Sequence, residues 1–235
     1  MKEVIIDYSR LPQVHLWGLT LLEPVTVVTN LMIAATCLYA FFTLCRMPGR
    51  HRAQHLAAYF FLFMALANMV GGVLGHGLLY LTGMWGRLPG WFLSMAAVAL
   101  FERAAIWHAS PLLSPRIASL FSWLNYIEIA LLATLAFITL NFFWVEVHAF
   151  YGLFVVVFSL EYFVYLKTGD PATRNIFMGT ALAGVASIVH MFKLGIHAWF
   201  NHNDISHLIM AVGVWYYYRG IVALRLTLPA TQIAV

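Results

Sequence analysis

His55-Leu-Ala-Ala-Tyr-Phe-Phe-Leu-Phe-Met-Ala-Leu-Ala-Asn-Met-Val-Gly-Gly-Val-Leu-Gly-His76 carries twenty residues between two histidines without one charged side chain. As an α-helix, such a run is ~30 Å long, the thickness of a bilayer's hydrocarbon core. The rest of the chain has the same character. Of 235 residues 63% are hydrophobic and 9% charged, with a mean hydropathy of +0.84, whereas soluble domains carry about 25% charged residues. The fold class expected is all-α: a polytopic membrane protein, a single domain over 1–235 built as a seven-helix transmembrane bundle. Its spans fall near 20–45, 55–81, 89–107, 117–140, 145–166, 175–199 and 203–224. The breaks carry turn chemistry at 47–50, Trp85-Gly-Arg-Leu-Pro89, 110–115 and 168–171.

The formal charge of +4 comes from Lys and Arg scattered through short loops, which form no basic stripe, so nucleic acid is not an expected partner. Orientation accounts for them. Arg46, Arg50, Arg52, Arg103, Arg116, Lys167, Arg174, Arg219 and Arg225 fall on one side, against Lys2, Arg10 and Arg87 on the other. This predicts a cytoplasmic C-terminus and an outside N-terminus. The N-terminal residues Lys2, Glu3, Asp7 and Arg10 lack the pattern of a removable signal peptide, so the first span is expected to serve as signal. Cys37 and Cys45 lie on one predicted helix, too far apart to bridge.

This topology places Glu23, His76, His148, His197, Asp204 and His207 near the outer leaflet, and His51, His55 and His108 at the inner interface. Glu102, Glu128 and Glu161 sit deeper, with no partner evident in sequence. Ionisable groups inside a membrane are costly, and a cluster of them marks a candidate site. Asp204 and His207, three apart on a helix, share a face. With His76 they can hold one divalent ion; Asn201, Asn203 and Asp204 equally suit a turn and helix N-cap. His190, Lys193 and His197 make a second stripe at helical spacing, fit for an anionic headgroup, a proton shuttle or a snorkelling lysine. His148, with Glu146 and Tyr151, is read as a site residue or as part of an interfacial belt. Gly71, Gly72 and Gly75 allow close helix packing ahead of His76.

Several of these residues resemble the alkaline ceramidase family: Glu23, Pro24 and Asn30 opening the first span, the glycine-rich segment ending in His76, and His207 followed by Leu208 and a tyrosine-rich tail. That family belongs to a superfamily with the adiponectin and progestin receptors. The resemblance implies a zinc-dependent hydrolase acting on a lipid amide or ester at the outer membrane surface. Its zinc ligands would include His76 and His207, with Asp204 or His202 as substitutes because Asn203 stands where the family has another histidine. Gly72 stands at the family's serine, and the family's aspartate would fall near Arg87. Glu23, Asn30, Asn203, His197, His190, Lys193 and His148 are the surrounding candidates. The alternative on the same scaffold is a non-catalytic lipid or ligand binder or a proton-coupled carrier. Membrane lipid is the expected partner in either case.

Overall fold

The computed structural model describes residues 8–225. Lys2, Glu3 and Asp7, used in the charge and signal readings, lie outside the described residues. The chain opens with a two-stranded hairpin, β1 (Gln13–Leu16) and β2 (Leu19–Leu22), in which Leu16 pairs with Leu19. Its two-residue turn, Trp17-Gly18, has φ of 50° and 82°. A tight hairpin turn with both residues at positive φ matches the twist of its strands. Thr20–Leu22, expected at the start of the first span, is therefore strand.

Helices follow: α1 (Pro24–Arg46), α2 (Arg52–Gly72), the single turn α3 (Leu79–Thr82), α4 (Leu88–Ala109), α5 (Pro115–Thr139), α6 (Phe143–Phe150), α7 (Phe158–Thr168), α8 (Ala172–Met191) and α9 (His202–Ala223). A π-helical segment, Val73–Gly77, prolongs α2, and another, Tyr151–Val157, joins α6 to α7 as one rod. Among the described residues, six rods are long and apolar enough to cross a membrane: Pro24–Arg46, Arg52–Gly77, Leu88–Leu112, Pro115–Thr139, Phe143–Thr168 and Ala172–Met191. At 22 residues, α9 is as long, but its first turns carry His202, Asn203, Asp204, Ser206 and His207.

The helix boundaries have local causes. Pro24, Pro89 and Pro115 sit in first turns, where a missing N–H costs nothing. Gly169 ends α7 at φ 69°, and Asp170 Oδ1 accepts from Ala172 N at 2.9 Å to start α8. The end of α8 corrects the expected sixth span. The helix stops at Met191, and the amides of Lys193 and Leu194 bond back to the carbonyls of His190 (3.2 Å) and Val189 (3.0 Å). Lys193 takes the left-handed conformation (φ 52°) in this Schellman-type cap. Residues 192–201 are a loop, so His190, Lys193 and His197 do not form a helical stripe; Lys193 and His197 are exposed.

Consecutive long helices run antiparallel. The core is centred on α2, α4 and α9, where Phe60 stacks on Phe101 (4.6 Å) and Tyr217 meets Phe101 edge-on (4.8 Å). Tyr217, fully buried, donates to Thr180 Oγ1 of α8 at 3.2 Å. Cys37 is buried and Cys45 exposed, both unbridged. α5 is peripheral and presents Trp123, Ile127, Leu131 and Ile138 outward. Glycines set the closest approach of α2 to α4: a Cβ on Gly90 would lie 2.9 Å from Gly71 Cα, whereas one on Gly71 would meet only Gly90 Cα at 3.9 Å. Gly90→Ala is thus expected to cost ~1–3 kcal/mol, the range for overpacking, while Gly71→Ala leaves thermal melting in detergent unchanged. Equal melting temperatures for the two variants would contradict this packing.

Candidate functional site

Glutamates in an apolar bundle need partners, since an unpaired buried charge is expensive. Each of four finds a histidine Nδ1 on another element: Glu23 with His76 (2.8 Å), Glu161 with His108 (3.0 Å), Glu128 with His148 (2.7 Å) and Glu146 with His190 (3.0 Å). Glu128 and Glu161, which had no partner evident in sequence, belong to this set. His108, expected at the inner interface, is instead buried against Glu161. His148 is fully buried, with Nε2 2.8 Å from the Met95 carbonyl, well inside α4.

The other candidates gather where the hairpin meets α1, α2, α8 and α9. Glu23 leaves β2 at φ 44°, a conformation uncommon for a residue with a side chain. Its amide donates to the Pro12 carbonyl at 2.7 Å, and its side chain turns in to His76. Burial raises the Glu23 carboxyl, but His76, Arg87 and His202 outweigh it and hold it below its ordinary 4.5. His76 sits in the π-helical segment ending α2, and the carboxylate on Nδ1 leaves Nε2, across the ring, for another group. His207 is similar. Thr29 Oγ1 donates to the Thr26 carbonyl (3.1 Å) and so accepts from His207 Nδ1 at 3.0 Å; the Asn30 amide lies 3.4 Å from that nitrogen. The His190 and His202 rings lie against each other at a tilt of 53°, centroids 5.5 Å apart. His76, His190, His202 and Glu23 all lie within electrostatic range of His207.

Asp204 is engaged elsewhere. Its Oδ2 accepts from Asn201 N at 2.7 Å and its Oδ1 from Thr26 Oγ1 at 2.7 Å. Asn201 Oδ1 in turn accepts from Asn203 N at 2.8 Å, so Asn201, Asn203 and Asp204 build the N-terminal capping box of α9. A side chain at Gly72 would meet Asn30 Cβ at 2.8 Å, which leaves no room for a serine there while Asn30 stays in place.

The zinc set implied by the resemblance does not close in this arrangement. Zinc needs its ligand atoms within ~4.2 Å of one another, two bonds of ~2.1 Å through one ion. His76, His202, Asp204 and His207 supply no trio of ligand atoms within 4.8 Å of one another. The one trio that does so among the described residues is Glu102, Glu128 and His148. Sequence reasoning missed it because Glu102, Glu128 and His148 lie on three helices and no spacing connects them.

A groove of about 380 Å³ lies between α1 and α9, lined by Met32, Thr36, Leu208, Ala211, Val212 and Trp215. Met32 and Thr36 are three and seven residues past Thr29, and Ala211 is four past His207, so the groove continues the helix faces that carry the Thr29–His207 bond. A model of a family described as "Family of unknown function (DUF6962)" matches residues 25–226, all of the long helices without the hairpin. No curated protein and no solved structure matches the chain.

Glu23→Gln replaces a charge-assisted hydrogen bond and is expected to cost ~1–3 kcal/mol. The carboxyl is depressed in the folded protein, so its contribution is complete above its unfolded value and lost as pH falls through the folded one. Melting of the wild type and of Glu23→Gln should therefore converge below pH ~4.5 and differ most near neutrality.

Proposed function

Because the chain belongs to the DUF6962 family, whose function is unassigned, we propose a role from geometry: an integral membrane protein that binds an amphipathic lipid at the hairpin end of its helices. The lipid's polar head meets His76, His190 and His207, and one of its chains lies in the groove between α1 and α9. The observation that carries this reading is the continuity of the two surfaces. The His207 ring, bonded to Thr29, and an apolar groove of about 380 Å³ share the same faces of α1 and α9, which suits a ligand polar at one end and apolar along its length. In this arrangement α9 is the seventh span, and the hairpin lies on the non-cytoplasmic side, opposite the arginine-rich connections. Trp17, 99% exposed with Leu16 and Leu19 beside it, then rests at the membrane interface, where tryptophan is favoured.

A second reading, hydrolysis of a lipid amide or ester, is favoured by the Glu23–His76 pair. A carboxylate that holds Nδ1–H orients the ring and leaves Nε2 as a base able to take a proton from water. The chemistry drawn on is that of the imidazole and its carboxylate.

Three measurements test these proposals. A reporter fused after Val235 should be accessible from the cytoplasm only; labelling from outside would reverse the topology. In nanodiscs, a photoactivatable long-chain amide lipid should crosslink to the wild type, and at least ~10-fold less, a loss of ~1.4 kcal/mol, to Ala211→Phe, which fills the groove. Equal labelling would sink the lipid site. Released fatty acid that disappears in His76→Ala while crosslinking persists would establish hydrolysis; absence of release from the wild type would leave binding as the activity.

A further inference from the structure

Of the five glutamates among the described residues, only Glu102 lacks a histidine. It is 0% exposed in the middle of α4, and neither carboxylate oxygen has a hydrogen-bond partner. Asn125 lies beside it, but its amide is directed to the Ala99 carbonyl at 3.3 Å and its Oδ1 accepts from Arg103 Nε at 3.0 Å. The carboxylate faces a second acid and an imidazole: ligand atoms of Glu102, Glu128 and His148 all lie within 4.8 Å of one another.

The protonation of His148 follows from its contacts. A carbonyl only accepts, so the 2.8 Å contact to Met95 O requires a proton on Nε2. Nδ1, 2.7 and 2.8 Å from the two Glu128 oxygens, faces a carboxylate across a position that must hold a positive centre, either a proton or a metal ion. A proton there satisfies Glu128 and His148 but leaves Glu102 without a partner, and a proton on Glu102 itself finds no acceptor at bonding distance. One ion satisfies all three groups at once.

We propose that Glu102, Glu128 and His148 form a site for a single divalent transition-metal ion in the bundle interior. One imidazole and two carboxylates, with no thiolate, suit Mn²⁺, Fe²⁺ or Zn²⁺. Two carboxylates neutralise the ion's charge, which a low-dielectric site requires. The Nε2–H bond to Met95 O fixes the tautomer that presents Nδ1 as a ligand, the usual supporting contact of a metal-bound histidine. Three ligands of one ion at bonds of ~2.1 Å stand ~3.0–3.6 Å apart, so closure draws any pair near the 4.8 Å limit together by ~1 Å. Backbone geometry accommodates the site as well. A Cβ on Gly152 would lie 2.6 Å from Glu102 Oε1, so only glycine lets this carboxylate reach the helix. Gly152 stands in the π-helical segment that begins three residues after His148, and such segments often accompany functional sites. Ion binding displaces the proton held between Nδ1 and Glu128 and any proton carried by the buried Glu102, so protons are released as the ion binds.

The test uses full-length protein in detergent, stripped with chelator and titrated with Mn²⁺, then Zn²⁺, by calorimetry with elemental analysis. Wild type and His207→Ala are expected to bind one ion per chain with proton release, and Glu102→Gln to bind at least ~10-fold more weakly. Since Glu102 makes no hydrogen bond, Glu102→Gln should elute and melt like the ion-free wild type, and Mn²⁺ should raise the melting temperature of the wild type and of His207→Ala but not of Glu102→Gln. Equal binding by wild type and Glu102→Gln, or no bound ion in the wild type, would overturn the site. Loss of the ion in His207→Ala with retention in Glu102→Gln would overturn it too, placing the ion at the hairpin end.

Discussion

The hydrogen bond between a histidine Nδ1 and a glutamate on another element is the interaction around which this bundle is arranged. In a chain with 9% charged residues the helices meet through apolar surfaces that are much alike, and apolar burial is non-directional, so burial alone gives them little reason to choose one neighbour over another. A carboxylate in that setting has few acceptable positions. Four such bonds tie the start of α1 to the end of α2, α4 to α7, α5 to α6, and α6 to α8. Breaking one by removing a single partner leaves a desolvated group behind, so each pair disfavours any packing that separates it.

The pairs also set the chemistry of the rings. With Nδ1 held by oxygen, each imidazole presents Nε2 on its far side, and the surroundings decide what that nitrogen meets. At His148 it meets the Met95 carbonyl, and the ring is enclosed. Around His76, His190 and His207 the rings lie together where the hairpin covers the helix ends. The two π-helical segments fall at His76 and just after His148. Each widens its helix where a titratable side chain turns toward a neighbour, which an unbroken α-helix would aim elsewhere.

The two polar groups differ in character. The hairpin-end cluster is partly open, held by threonine, asparagine and capping contacts, and continuous with an apolar groove. The interior trio is compact, with Glu102 and His148 fully buried and Glu128 partly so, and one of its members, Glu102, has no other bond. The resemblance to alkaline ceramidases directs attention to the first, yet the second has the closer ligand geometry. Asn203, Asp204 and Gly72 explain the difference: the first two cap α9, and the third makes way for Asn30.

Helix content and most helix ends were legible in the sequence because they rest on local physics: apolar length, prolines in first turns, and Gly49 and Gly169 at positive φ. The break at 47–50 falls between helices, and those near 85–89, 110–115 and 168–171 straddle helix ends, with Leu88 and Pro89 opening α4, Pro115 opening α5 and Thr168 closing α7. The end of α8 was not legible. Nothing in Phe192-Lys-Leu-Gly-Ile196 is a strong breaker except Gly195, and the stop depends on Lys193 adopting a conformation that glycine usually takes. Nor was the hairpin, whose strands repeat the apolar character of the span that follows. The partners of Glu23, Glu128, Glu146 and Glu161 and the isolation of Glu102 were decided by tertiary structure alone, whereas the capping role of Asp204 is one of the two readings the sequence offered. Sequence states which helices carry an acid or an imidazole, but a pair 53 residues apart, as Glu23 with His76 or His108 with Glu161, forms only when packing brings two rods into register.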